Sequence, residues 1–254
     1  MSKTLVGGFV SVKSIIESSS REIYRIIFEK NRYDSVMRSD LRKPEQRQYK
    51  TLIDSGVKFE FASPDEYCFD GSGGIVAEVG ERRFTPADGV FSIPNGYIVM
   101  LDGIEDPFNF AYSLRSLYAA GVDAVIIPKH NFYESSDIVI RSSAGASELL
   151  NVCCVDDLAE AARTLKSKGY LVVSTAKNEK AKDLHRVNLN KPLCLVFGGE
   201  KRGIKKEIID LSDMTLKLKY PRDCHYSLPA CCAVSVISFE IGEKFALLSR
   251  RTGK

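Results

Sequence analysis

Leu193-Cys-Leu-Val-Phe-Gly-Gly-Glu-Lys-Arg-Gly-Ile204 begins as an apolar run, passes through paired glycines and ends in a charged segment. Consecutive apolar residues bounded by a turn read as a short strand buried on both faces, the pattern of a parallel sheet. Gly198-Gly199 lets the backbone turn sharply or come close to a ligand, and a helix over 205–212 follows. Gly198 and Gly203 have the spacing of a phosphate-binding loop. However, Ile204-Lys205 stands where Lys and then Ser or Thr would be needed for phosphates and magnesium, which argues against a nucleotide triphosphatase. On spacing alone, a cofactor loop and a plain βα turn with an exposed Glu200 are equally open.

Working outward, the same alternation continues on both sides. Upstream come a strand at 97–101, a helix at 109–120, a strand at 124–127, a segment at 136–142, a helix at 155–168 and a strand at 171–174. Downstream come a strand at 215–218 and a long helix at 229–248. This order predicts a mostly parallel sheet covered by helices, with its site at the carboxyl ends of the strands. The stretch 81–96, with Pro86, Gly89, Pro94 and Gly96, reads as a linker. Before it, residues 1–80 form a smaller α/β domain, with helices at 11–18 and 45–55 and strands at 23–29, 58–61 and 75–79. The fold class is therefore α/β, a small domain over 1–80 followed by a doubly wound domain over 97–254.

Two further blocks sit where strands give way to turns. Asn109-Phe-Ala-Tyr-Ser-Leu-Arg115 opens a helix after the acidic turn 102–106, where an Asn and an Arg could bind a phosphate or a ribose hydroxyl. The simpler alternative has Asn109 capping the helix and Arg115 pairing with a surface carboxylate. Tyr220-Pro221 precedes a polar loop and then Ser227-Leu228-Pro229, in which Ser227 reads as the cap of the long helix starting at Pro229. His225 and Ser227, two residues apart and without a G-x-S-x-G elbow, do not make a hydrolase.

Composition narrows the classes. At 254 residues and 44% hydrophobic the chain can fill packed cores, and its net charge of +3 alone does not mark a nucleic-acid binder. The excess is concentrated near the start, where Arg38, Arg42, Lys43, Arg47 and Lys50 cluster. On charge alone this is equally an exposed basic helix end. Seven cysteines, two pairs of them adjacent (Cys153-Cys154 and Cys231-Cys232), lack C-x-x-C spacing and read as reduced and structural. With His130, His185 and His225 far apart, no metal is expected. No apolar run approaches the roughly 18 to 20 residues of a membrane span, and the start lacks a signal-peptide core, so a cytoplasmic protein is expected.

Taken together and in this order, the three blocks resemble the signature motifs of the SpoU/TrmH family of RNA ribose 2′-O-methyltransferases. Connecting stretches at 101–107, 119–123, 127–130 and 142–146 are similar as well. The resemblance implies a trefoil-knotted (SPOUT) domain that binds S-adenosylmethionine, preceded over 1–80 by a ribosomal-protein-like RNA-binding domain. It also implies a homodimer formed through the knot. Family positions map the cofactor onto Thr175, Gly198, Gly199, Tyr220 and Leu228, and the active site onto Asn109, Arg115, Glu200 and Ser227. Arg115 is the residue the family assigns to the 2′-hydroxyl. Because a guanidinium keeps its proton, anchoring the adjacent phosphate or a developing alkoxide is its easier job. Arg38, Arg42, Lys43, Arg47 and Lys50 become candidates for RNA phosphates, with rRNA favoured over tRNA. Ala111, Gly199, Lys201 and Pro229 depart from the family pattern, and the loop 221–227 is shorter. Two readings follow, an active 2′-O-methyltransferase and a catalytically inactive RNA-binding relative.

Overall fold

The computed structural model describes residues 3–129, 136–223 and 225–252; His130 and Cys224 lie outside them. The chain starts with β1 (Thr4–Gly7), α1 (Phe9–Ser18), β2 (Ile23–Glu29), α2 (Lys30–Met37), α3 (Lys43–Ile53), β3 (Phe59–Ala62) and β4 (Ile75–Val79). It continues with α4 (Ala87–Phe91), β5 (Tyr97–Asp102), α5 (Pro107–Ala119), β6 (Ala124–Pro128), α6 (Ser136–Ser142), α7 (Ala146–Leu149), β7 (Val152–Val155) and α8 (Leu158–Ser167). Last come β8 (Leu171–Thr175), β9 (Lys182–Asp183), β10 (Leu193–Gly198), α9 (Lys206–Leu211), β11 (Met214–Lys217) and α10 (Ala230–Thr252). No helix among the described residues is long and apolar enough to cross a membrane.

Two compact units result, Met1–Arg83 with Tyr133–Leu149, and Phe84–Phe132 with Leu150–Lys254. The first is built on a four-stranded sheet in the order β1-β4-β2-β3. Its inner strands are apolar on both faces. Ile26 and Phe28 point with Val12, Ile15, Tyr49 and Leu52 into one core, and Ile27 meets Val76 and Phe69 on the other side. Residues 136–149, read from sequence as part of the second domain, belong here. Ile140 of α6 is fully buried in this core. Glu148 of α7, also buried, accepts from Arg21 Nε at 3.1 Å and from Ser20 Oγ at 2.5 Å. An amphipathic pattern shows that a helix needs a partner, but not which sheet supplies it.

The second unit carries a seven-stranded sheet in the order β7-β6-β5-β10-β8-β11-β9, in which every pair is parallel. The strands β5 and β10 at its centre are almost continuously buried, as unbroken apolar runs require. Ile98, Met100, Cys194 and Val196 pack on one face against Leu158, Leu165 and Ile208 of α8 and α9. On the other face the Tyr97 ring meets Phe245 of α10 edge-on at 5.3 Å. Helix α10 also lies tightly on α5, where a Cβ at Gly242 would stand 2.2 Å from the Ala120 carbonyl oxygen.

The linker read over 81–96 is only partly one. It contains α4, whose Val90 is fully buried in the core of the second unit, and Thr85 N–H donates to the Val152 carbonyl at 2.8 Å. Pro86 at the cap of this one-turn helix and Gly89 inside it give the composition of a loop. Strand β7 also begins ahead of the helix read from residue 155. Cys153 there is buried and Cys154 only half so, as alternation along a strand demands.

Candidate functional site

The site grows from the carboxyl ends of β10, β8 and β11. Gly198 pairs with Asp102 at the end of β5, and Gly199 N–H donates to the Asp102 carbonyl at 2.8 Å. Only glycine fits this crossing. A Cβ at Gly199 would stand 1.7 Å from the Gly103 carbonyl oxygen, and one at Gly198 would stand 2.3 Å from the carbonyl carbon of Gly203. The loop 199–204 then folds back, with Gly203 N–H donating to the Gly199 carbonyl at 3.0 Å and Gly203 at φ 65°. The buried Asp102 carboxylate closes it by accepting from Lys205 N–H at 2.8 Å.

This loop, the end of β8 and the segment 216–230 enclose a cavity of about 310 Å³. Thr175, Gly198, Gly199, Glu200, Tyr220, Ser227 and Leu228 all line it, so seven of the nine site residues read from sequence in this unit are brought together. Thr175 Oγ1 donates to the Val196 carbonyl at 2.9 Å, tying β8 to β10. Leu228 N–H donates to the Tyr220 hydroxyl at 3.1 Å, which pins the loop between them. Phe197, Ile204, Leu216 and Ile237 supply apolar walls.

Asn109 joins the site through Glu200. Its Nδ2 donates to Glu200 Oε1 at 3.2 Å, and the same oxygen accepts from Ala230 N–H, in the first turn of α10, at 3.1 Å. A negative charge is favoured at that helix end. Two capping roles read from sequence are therefore corrected. Asp106, not Asn109, caps α5, accepting from Asn109 N–H at 2.7 Å. At α10, Glu200 reaches the first turn from a distant loop, whereas Ser227 Oγ forms no hydrogen bond among the described residues. The helix starts at Ala230, one residue later than expected, with the Pro229 carbonyl accepting from Cys232 and Ala233.

Arg115 does not line the cavity. It is exposed on α5 and has no carboxylate partner among the described residues, so neither of its sequence-based roles is met within one chain. Cys231 was not singled out as a site residue, yet its Sγ donates to Asn109 Oδ1 at 3.2 Å. Its only sequence signal was its place just after Pro229. Arg38, Arg42, Lys43, Arg47 and Lys50 all lie exposed in the first unit. Lys43, Arg47 and Lys50 rise along one face of α3 and rim a groove of about 380 Å³ with Met37 and Ile53, while Arg38 and Arg42 flank the turn before it.

Residues 96–239 match the SpoU rRNA Methylase family. The chain belongs to this family. Among SpoU relatives it is 30% identical over 213 residues to the 23S rRNA (guanosine-2'-O-)-methyltransferase RlmB of Ralstonia nicotianae, covering 81% of this chain and 82% of that one. It is also 34% identical over 148 residues to a protein named as a TrmH family tRNA/rRNA methyltransferase in Staphylococcus saprophyticus. The match spans 58% of each of those two chains. In structure the chain resembles the SpoU methyltransferase AviRb of Streptomyces viridochromogenes, solved with AdoMet, with a TM-score of 0.76 and 18% identity over 96% of this chain and 91% of that one. That likeness shows a shared SpoU fold. The cavity suits such a cofactor in size and chemistry, since apolar walls and backbone polar groups at the ends of parallel strands are what an adenosine needs.

Proposed function

We propose that this protein transfers a methyl group from S-adenosylmethionine to a ribose 2′-hydroxyl of RNA, with rRNA in the cytoplasm as its substrate. The observation that carries the reading is the cavity at the end of β10, closed by Gly198, Gly199, Tyr220 and Leu228 and bordered by the hydrogen-bonded Asn109–Glu200 pair. Thr175, Gly198, Gly199, Tyr220 and Leu228 would hold the cofactor, which supplies a methyl on a sulfonium for in-line displacement. Placing the ribose oxygen on that line accounts for much of the acceleration such a site can give. Glu200 and Asn109 orient the approaching ribose, and Ser227, whose hydroxyl has no hydrogen-bond partner among the described residues, stands at the same rim. Arg115 keeps its proton and stabilises the phosphate or the developing alkoxide.

In this reading the protein is a homodimer and Arg115 acts on the cavity of a second copy. Phe108 and Tyr112 share the exposed side of α5 with Arg115, and Val236 and Phe239 face outward on α10, each of these four apolar residues 45–49% exposed. An apolar surface of this kind on two packed helices supports a contact between copies. The segment 199–204 and helix α10, linked through Glu200, are the parts that would form the trefoil knot. The first unit, taken as an RNA-binding domain of ribosomal-protein type, would offer Arg38, Arg42, Lys43, Arg47 and Lys50 to phosphates.

The test is calorimetric titration with S-adenosylmethionine followed by transfer of labelled methyl to total rRNA. Binding with label on ribose, lost in Arg115→Ala, is the expected result. Absence of both binding and label would overturn the proposal.

A further inference from the structure

In the second unit several cations away from the cavity are neutralised. Lys129 pairs with Asp156, Lys166 with Asp213, Lys191 with Asp123 and Lys244 with Glu240, while Lys201 and Arg202 share Glu105. The sheet edge beside the cavity is different. Parallel pairing of β11 with β9 sets Leu216 against Lys182 and Lys217 against Asp183. It brings Lys177, Lys182 and Arg186 of one chain segment beside Lys217, Lys219 and Arg222 of another.

Two adjoining depressions, of about 540 and 410 Å³, carry these six cations against three carboxylates, Glu179, Asp183 and Asp223. Of these, Asp183 caps the short turn that follows it, its Oδ1 accepting from His185 N–H at 3.2 Å. Lys177, Lys182, Arg186 and Lys219 have no carboxylate partner among the described residues. Lys177 lies over the Tyr220 ring at 5.6 Å, and Lys217 Nζ donates to the Asn178 carbonyl at 3.3 Å. The larger depression shares Lys177, Lys217, Leu218 and Tyr220 with the cavity itself, and Lys217 also lines the smaller one.

We propose that this edge is a track for the phosphate backbone of RNA, carrying the strand to the rim of the cavity. Lys177, Lys182, Arg186 and Lys219, without carboxylate partners and spaced along two successive depressions, suit a polyanion better than a single small anion, because each phosphate contact releases a counterion. Continuity with the cavity favours RNA over an acidic protein or a lipid surface, since only RNA would also present a ribose there. The identity of the polyanion rests on the methyltransferase reading; the charge pattern does not. Contacts of this kind position a strand without choosing its sequence.

The test uses the full chain, a labelled oligouridine and anisotropy over a range of salt concentrations, with Lys182→Gln, Arg186→Gln and Lys219→Gln combined. Each phosphate neutralised on a single strand contributes about 0.7 to the slope of log affinity against log salt, so the triple variant should lose about two from that slope and bind roughly tenfold or more weakly. Lys182→Arg with Lys219→Arg should keep both slope and affinity, and S-adenosylmethionine should bind the triple variant as it binds the natural chain. An unchanged slope, or polyglutamate or anionic vesicles bound as tightly as RNA through the same residues, overturns the track. Failure of the cofactor titration on the natural chain would instead overturn the methyltransferase reading and leave the slope measurement to stand by itself.

Discussion

Asn109 can point its amide either way, and its neighbours decide which. Burial pushes the Cys231 thiol up from its ordinary value, so at neutral pH it stays S–H and can donate, while the Glu200 carboxylate can only accept. Asn109 Oδ1 faces that donor, which leaves Nδ2 for Glu200. Cys231→Ser keeps a donor and should keep methyl transfer, whereas Cys231→Ala should lower kcat by about threefold to tenfold, the value of one hydrogen bond; steady-state kinetics on rRNA distinguish the two. In the first unit, Arg25 holds the Glu78 carboxyl below its ordinary value of 4.5, through bonds of 3.0 and 2.7 Å. A depressed carboxyl contributes stability that is fully present above its unfolded value and is lost as pH falls through the folded one. Urea midpoints measured from pH 7 downward should therefore fall less steeply below pH 4.5 in Glu78→Gln than in the natural chain, from a lower start at pH 7.

At the scale of elements, α10 depends on how closely it can lie on α5. Gly242 has no side chain where the Ala120 carbonyl passes. Gly242→Ala would ordinarily favour a helix, but here overpacking should win and cost about 1–3 kcal/mol, read from the urea denaturation midpoint with the slope unchanged. The strands at the centre of the second sheet were legible because a buried parallel strand is an unbroken apolar run, as in Tyr97–Asp102 and Leu193–Gly198. Those at its margins were not. Two-residue β9 exists only through its pairing with β11, a long-range fact that no local pattern carries. Helix α4 was hidden by Pro86 before it and Gly89 within it, and the tie from Glu200 to α10 joins residues thirty apart in sequence.

Across the whole molecule, the alternation of strand and helix gave the right architecture but assigned 136–149 to the wrong unit, because continuity of pattern was taken for continuity of packing. The cavity residues were legible through their resemblance to a family. The cationic edge was not, since its two segments come together only in the sheet. The separate cores make a direct check possible. Ile140→Ala should cost about 2–4 kcal/mol in the first unit, and hydrogen exchange followed by mass spectrometry should show faster exchange in β2 and β4 while amides of β5 and β10 keep their protection.

The return of 136–149 to the first unit also determines how the protein can be dissected. No single cut yields two whole parts. Residues 1–83 alone would leave Arg21 buried without Glu148, and an uncompensated buried charge costs about 3–5 kcal/mol. Residues 84–254 alone would carry α6 with Ile140 deprived of its core. Limited proteolysis should accordingly require three cleavages, near Arg83, between 132 and 133 and after Leu149, before the first unit is released as a folded fragment, and that fragment should consist of two chains held together without a covalent bond.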